Sequence, residues 1–384
     1  MRKKDTELRE PLLRIAKRAE MPIWQAWSIR AAALVIALLV CALYVRIVGG
    51  LSLGETAYAM FKGTFGTPEN AASIKIKCWD TAIYTAKLLC ISVALAPAFK
   101  MRFWNIGAEG QLLMGALATA IIMYYFGDTL SNPILYVLMF ISCITAGALW
   151  SFIPAFFKAH WGTNETLFTL MMNYIAMKIL DYFYNTWKGQ ASALDSINRV
   201  SQKGYLPSIF GKGYTINIII FLSLAFLMYF YLKKTKHGYE IAVVGESHNT
   251  ARYAGIGVKK VIIRTMIISG AICGLCGGLT VAGQSYSIAS DTTAGGYGFT
   301  AIIVAWLAKF NTIGMIFISL LILFLEKGMG QLSNTYDAFA IGAGNILIGL
   351  VLFFIIGSEF FITYKLLFRK RIEVNIPTVQ EENS

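Results

Sequence analysis

The fold class this sequence predicts is all-α: a polytopic membrane protein of about ten transmembrane helices, one of them short or re-entrant. Three observations predict it. Apolar runs of about 18 residues or more recur between Ala31 and Phe368, each long enough to cross a bilayer core as a helix. The 384-residue chain is 57% hydrophobic and 14% charged, with mean hydropathy +0.59. A soluble domain has about 45–50% apolar and about 25% charged residues. The basic residues, finally, are clustered. Arg2, Lys3, Lys4, Arg9, Arg14, Lys17, Arg18 and Arg30 precede or open the first span, and Lys365, Arg369, Lys370 and Arg371 follow the last. Lys233, Lys234, Lys236, Arg252, Lys259, Lys260 and Arg264 form a central cluster. The alternating segments of about ten residues that a transmembrane β-barrel needs do not occur.

Basic loops stay on the cytoplasmic side of a membrane, so both termini and the central loop are expected there. Membrane topology accounts for the net charge of +13 and leaves nucleic-acid binding without support. No small-residue cleavage site follows the first apolar run, so that run is expected to be its own anchor.

The first span is expected at 29–48, after a charged segment with a surface helix near 11–20. The stretch 58–65 is too short to cross. Further spans are expected at 80–100, 108–126, 133–156, 165–184 and 214–232, then after the basic loop at 261–282. A polar, glycine-rich stretch, 283–297, precedes a short apolar piece at 298–308. That piece covers roughly 16 Å, half of a bilayer core. It needs the stretch before it to complete a crossing, or it is re-entrant. The last spans are expected at 311–327 and 339–362. Parity favours a crossing at 298–308, since only an even number puts both basic termini on one side. An equal division about the central loop permits an inverted repeat, although the halves share no clear similarity.

Four segments carry candidate function. Asn105-Ile106-Gly107-Ala108-Glu109-Gly110-Gln111 is polar and glycine-broken between two apolar runs. Burying an unpaired amide costs roughly 2–7 kcal/mol, so the segment is either capped at an interface or lines something polar. Asn105, Glu109 and Gln111 are candidates for a path or gate. Glu109 falls in the first turn of its span, where a helix N-terminus favours a carboxylate. The charge pattern puts the segment at the inner end of two spans, which favours an inner gate or a cap over a substrate contact. Asn164, Glu165 and Asn173 lie in NETLFTLMMNY, 164–174. Asn164 can cap the fifth span, and the polar stripe reads first as helix–helix glue and second as path lining. GGYGFT, 295–300, offers Tyr297 and Phe299 either as faces for a flat ring or as interfacial anchors. In the central loop, Ser247 or Asn249 can cap a short helix and Gly255 can end it. Ala251, Ala254 and Val258 are spaced to share a face, with Arg252 pointing elsewhere. So short a helix needs docking to persist, which makes the loop either a handle for a cytosolic partner or a solvated connection.

Five stretches in order, FWNIGAEGQLLMGA (103–116), NETLFTLMMNYIA (164–176), HGYEIAVVGESHNTARYAGI (237–256), SGAICGLCGGL (269–279) and GGYGFTAIIVAWL (295–307), resemble the permease subunits of bacterial ABC importers. The likeness is to the nucleoside and simple-sugar group and covers about residues 50–360. Charge and hydropathy divide the chain into a cytoplasmic segment 1–28, a permease domain 29–362 and a cytoplasmic tail 363–384, and the likeness makes 233–260 the coupling loop of that domain. It implies that Gly245, Glu246, Ala251, Arg252 and Gly255 seat against an ATPase subunit. The implied partners are that ATPase, a second and non-identical permease, an extracytoplasmic substrate-binding lipoprotein, a nucleoside or simple sugar, and the bilayer of a bacterial cytoplasmic membrane. Two stretches depart from the group's usual pattern, Lys100-Met101-Arg102-Phe103-Trp104 and Ala308-Lys309-Phe310-Asn311-Thr312.

No enzyme is expected, with no catalytic residue, metal site or cofactor in this chain. There is no phosphate-binding G-x-x-x-x-G-K-[ST], so ATP and magnesium would belong to the partner. His160, His237 and His248 all sit in or near inner loops, away from any nucleophile at span depth. Cys273 and Cys276 stand among Gly270, Gly274, Gly277 and Gly278, which favours close helix packing over redox chemistry. An ion-coupled secondary transporter is the alternative. Lys87, Lys178, Asp181 and Glu326 are the main ionisable residues within spans, too few in line for a proton relay.

Overall fold

The computed structural model describes residues 13–18, 21–289, 293–336 and 343–368. They fall in two compact units, one formed by Met1–Thr56 with Tyr336–Ser384 and the other by Ala57–Thr335.

In the first unit, α1 (Ile23–Gly49) packs along α13 (Ala343–Thr363). The helix α1 ends where Gly50 takes a left-handed conformation, φ 69°, and Arg46 occupies the last turn, where the helix dipole favours a cation. An ion pair of 2.6 Å joins Arg30 of α1 to Glu359 of α13. The surface helix expected near 11–20 does not form in the described part of that segment. Leu13–Lys17 is a strand, β1, antiparallel to β2 (Tyr364–Phe368), with Leu13 opposite Phe368 and Lys17 opposite Tyr364. A helix of two or three turns is marginal in water, whereas β2 continues directly from α13 and offers a ready hydrogen-bonding edge. The all-α expectation is therefore amended by one short ribbon.

In the second unit the helices follow the expected spans closely. They are α3 (Ala71–Lys100), α4 (Ala108–Phe126), α5 (Asn132–Trp161), α6 (Glu165–Lys188), α7 (Thr215–Lys234), the loop helices α8 (Lys236–Glu246) and α9 (His248–Tyr253), α10 (Val258–Thr280), α11 (Tyr297–Leu307) and α12 (Thr312–Thr335). The helix before α3 is α2 (Leu53–Phe65). Among the described helices, six are long and apolar enough to cross a membrane. Most run past the expected ends, because caps rather than hydropathy stop them. Asn70 caps α3 by accepting from the amides of Ala72 and Ser73, and Gly162 ends α5 at φ 66°.

The core is α10 pressed against α4 and α5. Glycines make that approach possible. A Cβ at Gly277 would overlap the carbonyl of Leu112 in α4, and one at Gly274 would overlap that of Cys143 in α5. Ser151 of α5 donates to the Met266 carbonyl at 2.7 Å beside the same seam. Cys273 and Cys276 are buried and unbridged within it, as the packing reading expects. At its far end α10 loosens into a π-helical turn, Val281–Ser285. The carbonyls of Leu279 and Ala282 there accept from the Asn217 side chain at 2.7 Å and the Leu206 amide at 3.0 Å.

Candidate functional site

After α3 ends at Lys100 the chain turns through Arg102, φ 59°, and re-enters the protein. Asn105 is fully buried. Its Nδ2 donates to Ser269 Oγ at 3.4 Å, and its Oδ1 accepts from the Gly107 amide at 3.0 Å and from Gln111 Nε2 at 3.2 Å. Ser269 lies about 16 Å along α10 from Val258. The segment is therefore buried against the middle of α10 within the protein.

Irregular backbone so buried survives only if its polar groups are satisfied by protein. Residues of α6 do this. Asn173 Oδ1 accepts the Gly110 amide at 2.9 Å, and its Nδ2 donates to the Ile106 carbonyl at 2.9 Å. Thr169 Oγ1 accepts the Ile106 amide at 3.1 Å. Asn173 thus acts as glue, and Thr169 is a partner that sequence reasoning missed. The spacing of four from Glu165 through Thr169 to Asn173 was the available signal. Asn164 caps α6 by accepting from the Leu167 amide at 3.2 Å, and Glu165 pairs with Lys158 at 2.6 Å. Both hold the α5–α6 turn and stand apart from the central cluster.

Glu109 lies in the first turn of α4, but its carboxylate serves another helix. Oε1 accepts the Gly296 amide at 2.9 Å and Oε2 the Gly298 amide at 2.7 Å, both at the start of α11. A helix leaves its first amides unpaired, and a carboxylate there meets both that need and the helix dipole. Gly296 adopts φ 74°, and a Cβ at Gly298 would collide with Glu109. The GGYG sequence and Glu109 are thus one device, split across 187 residues of chain.

Next to it, Lys87 is 2% exposed. Its Nζ donates to the Thr293 carbonyl at 2.9 Å and lies 5.0 Å from the centre of the Tyr297 ring. The Tyr297 hydroxyl donates to Glu326 at 3.2 Å, and its ring faces that of Tyr84 with centroids 5.9 Å apart. Lys327 Nζ sits 3.9 Å from the Tyr84 ring centre, and Tyr214 donates to Asp80 at 3.4 Å. Tyr84, Asp80, Tyr214, Glu326 and Lys327 are only partly covered, so the cluster is open on one side. Lys87 and Glu326 each lie about 20 Å along their helices from Lys100 and Thr312. Tyr84, Asp80, Tyr214 and Lys327 were not singled out from sequence, because each is ordinary alone. Phe299 is 38% exposed and does not join Tyr297 in a common slot.

In the central loop, Ser247 caps α9 by accepting from the Thr250 amide at 3.3 Å, and Gly255 follows its end at φ 74°. Ala251 is buried and Val258 nearly so, whereas Ala254 is exposed, since α9 stops at Tyr253 and the helical face ends with it. Gly245 is buried against the Lys100 carbonyl, where a Cβ would overlap, so it packs α8 onto α3. Glu246, Arg252 and Gly255 are exposed, together with Tyr253 at 93%, which sequence reasoning missed. Glu240 of α8 pairs with Arg264 of α10 at 2.8 Å, and that hydrogen bond holds the Glu240 carboxyl below the ordinary carboxylate range. A depressed pKa contributes stability above the unfolded value, about 4.3, and loses it as pH falls through the folded one. Protection of the α8 amides, relative to their intrinsic exchange, should therefore fall as pH drops through the lowered Glu240 value, and Glu240→Gln should show the reduced protection at neutral pH.

Comparison with known proteins is consistent with these features. Residues 79–356 match the family described as branched-chain amino acid transport system / permease component. The guanosine ABC transporter permease NupP of Bacillus subtilis is 30% identical over 292 residues, 74% of this chain and 80% of that one. The glucose ABC transporter permease TsgB13 of Haloferax volcanii is 29% identical, over 74% of this chain and 77% of its own. The nucleoside ABC transporter permease NupB of Lactococcus lactis is 28% identical, over 64% and 70%. The chain therefore belongs to the branched-chain amino acid transport system / permease component family, and is a membrane permease subunit of an ABC transporter rather than an enzyme.

Proposed function

We propose that this permease forms half of the passage by which a bacterial ABC importer carries a nucleoside, or a related simple sugar, across the cytoplasmic membrane. The observation that carries the reading is the half-open cluster of Tyr84, Tyr297, Glu326, Lys327, Asp80 and Tyr214. Ionisable residues within spans are costly and mark pathways. Aromatic rings with acids and hydroxyls beside them suit a solute that has a flat base and a hydroxylated sugar. Stacking contributes roughly 1–3 kcal/mol per base. Glu109, Asn105, Gln111 and Asn173 frame that passage by holding the broken backbone, and Tyr297 reaches into it. NupP and NupB are named for guanosine and nucleoside transport, and TsgB13 for glucose.

The full reading has about ten crossings, counting α11 as one, with termini and central loop in the cytoplasm. The N-terminal segment 1–28 and the tail 363–384 flank the permease domain 29–362. A separate ATPase binds ATP and magnesium and grips the loop 233–260 through Glu246, Arg252 and Tyr253, while Gly245 and Ala251 fix α8 and α9 beneath them. A second, non-identical permease and a substrate-binding lipoprotein complete the assembly.

The test is uptake of labelled guanosine and of labelled glucose into proteoliposomes holding the complete transporter. Guanosine should enter only with ATP, whatever the ion gradients. Uptake that follows an ion gradient without ATP would favour the ion-coupled alternative. Arg252→Ala with Gly255→Val should lower uptake at least about tenfold at unchanged membrane abundance, since Val resists φ 74°. Wild-type uptake in that variant would remove the loop from the ATPase interface.

A further inference from the structure

We propose that the ribbon formed by β1 and β2 lies on the membrane surface beside α1 and α13 and binds the headgroups of anionic phospholipids. A lone pair of strands is marginal in water unless one face packs on something. Here the described side chains stay open. Ile15 is 57% exposed and Tyr364 38%, and Arg14, Lys17, Arg18 and Lys365 are exposed with them. Lys17 stands opposite Tyr364, and Ile15 is two positions before Lys17, so these three share a face. Arg14 belongs to the other face with Ala16 and with Lys365, which stands opposite Ala16.

Connectivity holds the ribbon at the end of a helix pair. β2 begins at Tyr364, directly after α13 ends at Thr363, and the Arg18 amide donates to the Thr363 carbonyl at 2.9 Å. α1, which packs along α13, is long and apolar enough to cross a membrane. In its first turns Trp24 is 68% and Trp27 60% exposed. At the end of α13 the Tyr364 ring rests near that of Phe360, with centroids 5.3 Å apart. Exposed Trp and Tyr rings at the end of a span sit at headgroup level. The bilayer surface is thus the support that the ribbon needs. Ile15 and Tyr364 dip toward the acyl chains, and Lys17 reaches back to the headgroups on its long stem.

Charge selects the lipid. Residues 13–18 and 364–368 include Arg14, Lys17, Arg18 and Lys365 and no acid. None of these basic residues takes part in an ion pair among the described residues. Clusters of four or more Lys and Arg beside a span bind anionic leaflets, whereas a zwitterionic surface offers no net charge to match them.

The test is hydrogen exchange of the full chain in nanodiscs of phosphatidylcholine, with and without phosphatidylglycerol. Amides of 13–18 and 364–368 should be protected with phosphatidylglycerol and exchange faster in phosphatidylcholine alone. Protection should fall about fivefold for each basic residue removed in Arg14→Gln, Lys17→Gln and Lys365→Gln. Lys17→Arg should keep it, and the amides of α10 should stay protected throughout, which separates lipid contact from misfolding. Equal protection in the two kinds of nanodisc would overturn the proposal, leaving a ribbon that needs no anionic lipid. So would full protection in phosphatidylcholine on adding inorganic phosphate, which would assign the basic residues to a free anion. Protection that arises only when the ATPase subunit is added would overturn it in favour of a protein contact.

Discussion

Glu109→Ala should abolish uptake by the assembled transporter and free the Gly296 and Gly298 amides to exchange. The wild-type carboxylate accepts from both, at 2.9 and 2.7 Å, in a buried place. Each amide left unpaired costs roughly 1–3 kcal/mol, so the pair loses about 2–6. Whole domains are stable by only about 5–15 kcal/mol, so the start of α11 should come loose even if the remainder folds. That loosening moves Tyr297, which fixes the Tyr84 and Glu326 side of the cluster. Glu109→Gln should fall between wild type and Ala. Its carbonyl accepts one amide, while its amino group faces the other donor. Hydrogen exchange of a peptide containing Gly296 and Gly298, measured beside ATP-driven uptake, checks the order. Wild-type uptake and protection in Glu109→Ala would return this residue to a local role in α4.

Gly277→Val should prevent the second unit from assembling. The added Cβ meets the Leu112 carbonyl, and a further contact lies at 3.0 Å with the Ala116 amide nitrogen. Both obstacles are backbone of α4, which cannot swing aside as a flexible side chain can. Overpacking a tight core costs about 1–3 kcal/mol, occasionally more. Here the helices must part along a seam that also includes Gly274 against α5, so the cost falls at the upper end or beyond. Yield of detergent-extracted monodisperse protein and its melting temperature give the readout. Gly330→Ala, with open space around it, is the matched control and should behave as wild type. Equal yields for Gly277→Val and the control would refute the close approach of α10 to α4.

How much was legible can be judged from particular residues. The helix Ala108–Phe126 coincides with its expected span, because the polar run before it and Gly127 after it are local signals. The short helix Tyr297–Leu307 was likewise expected, from the glycines that precede it and its limited apolar length. The loop helix after Ser247 was written in its cap and in Gly255. The strand Leu13–Lys17 was not legible, since five residues take their conformation from a partner over 340 positions away. Nor was the contact of Asn105 with Ser269, because charge counting locates the ends of helices and not what packs against the turn between them.

The sequence by itself determined the class of protein, the order and approximate positions of the helices, and the family. These follow from hydropathy, caps and local motifs, whose physics acts over a few residues. Only the tertiary structure decided what Glu109 binds, that Asn173 clamps a broken backbone, that Gly245 is packing rather than contact surface, and that Lys87, Tyr84 and Glu326 share one cluster. Each of these rests on a hydrogen bond or overlap between distant helices. Such contacts depend on how helices are rotated and offset against one another, which a period of 3.6 residues does not specify.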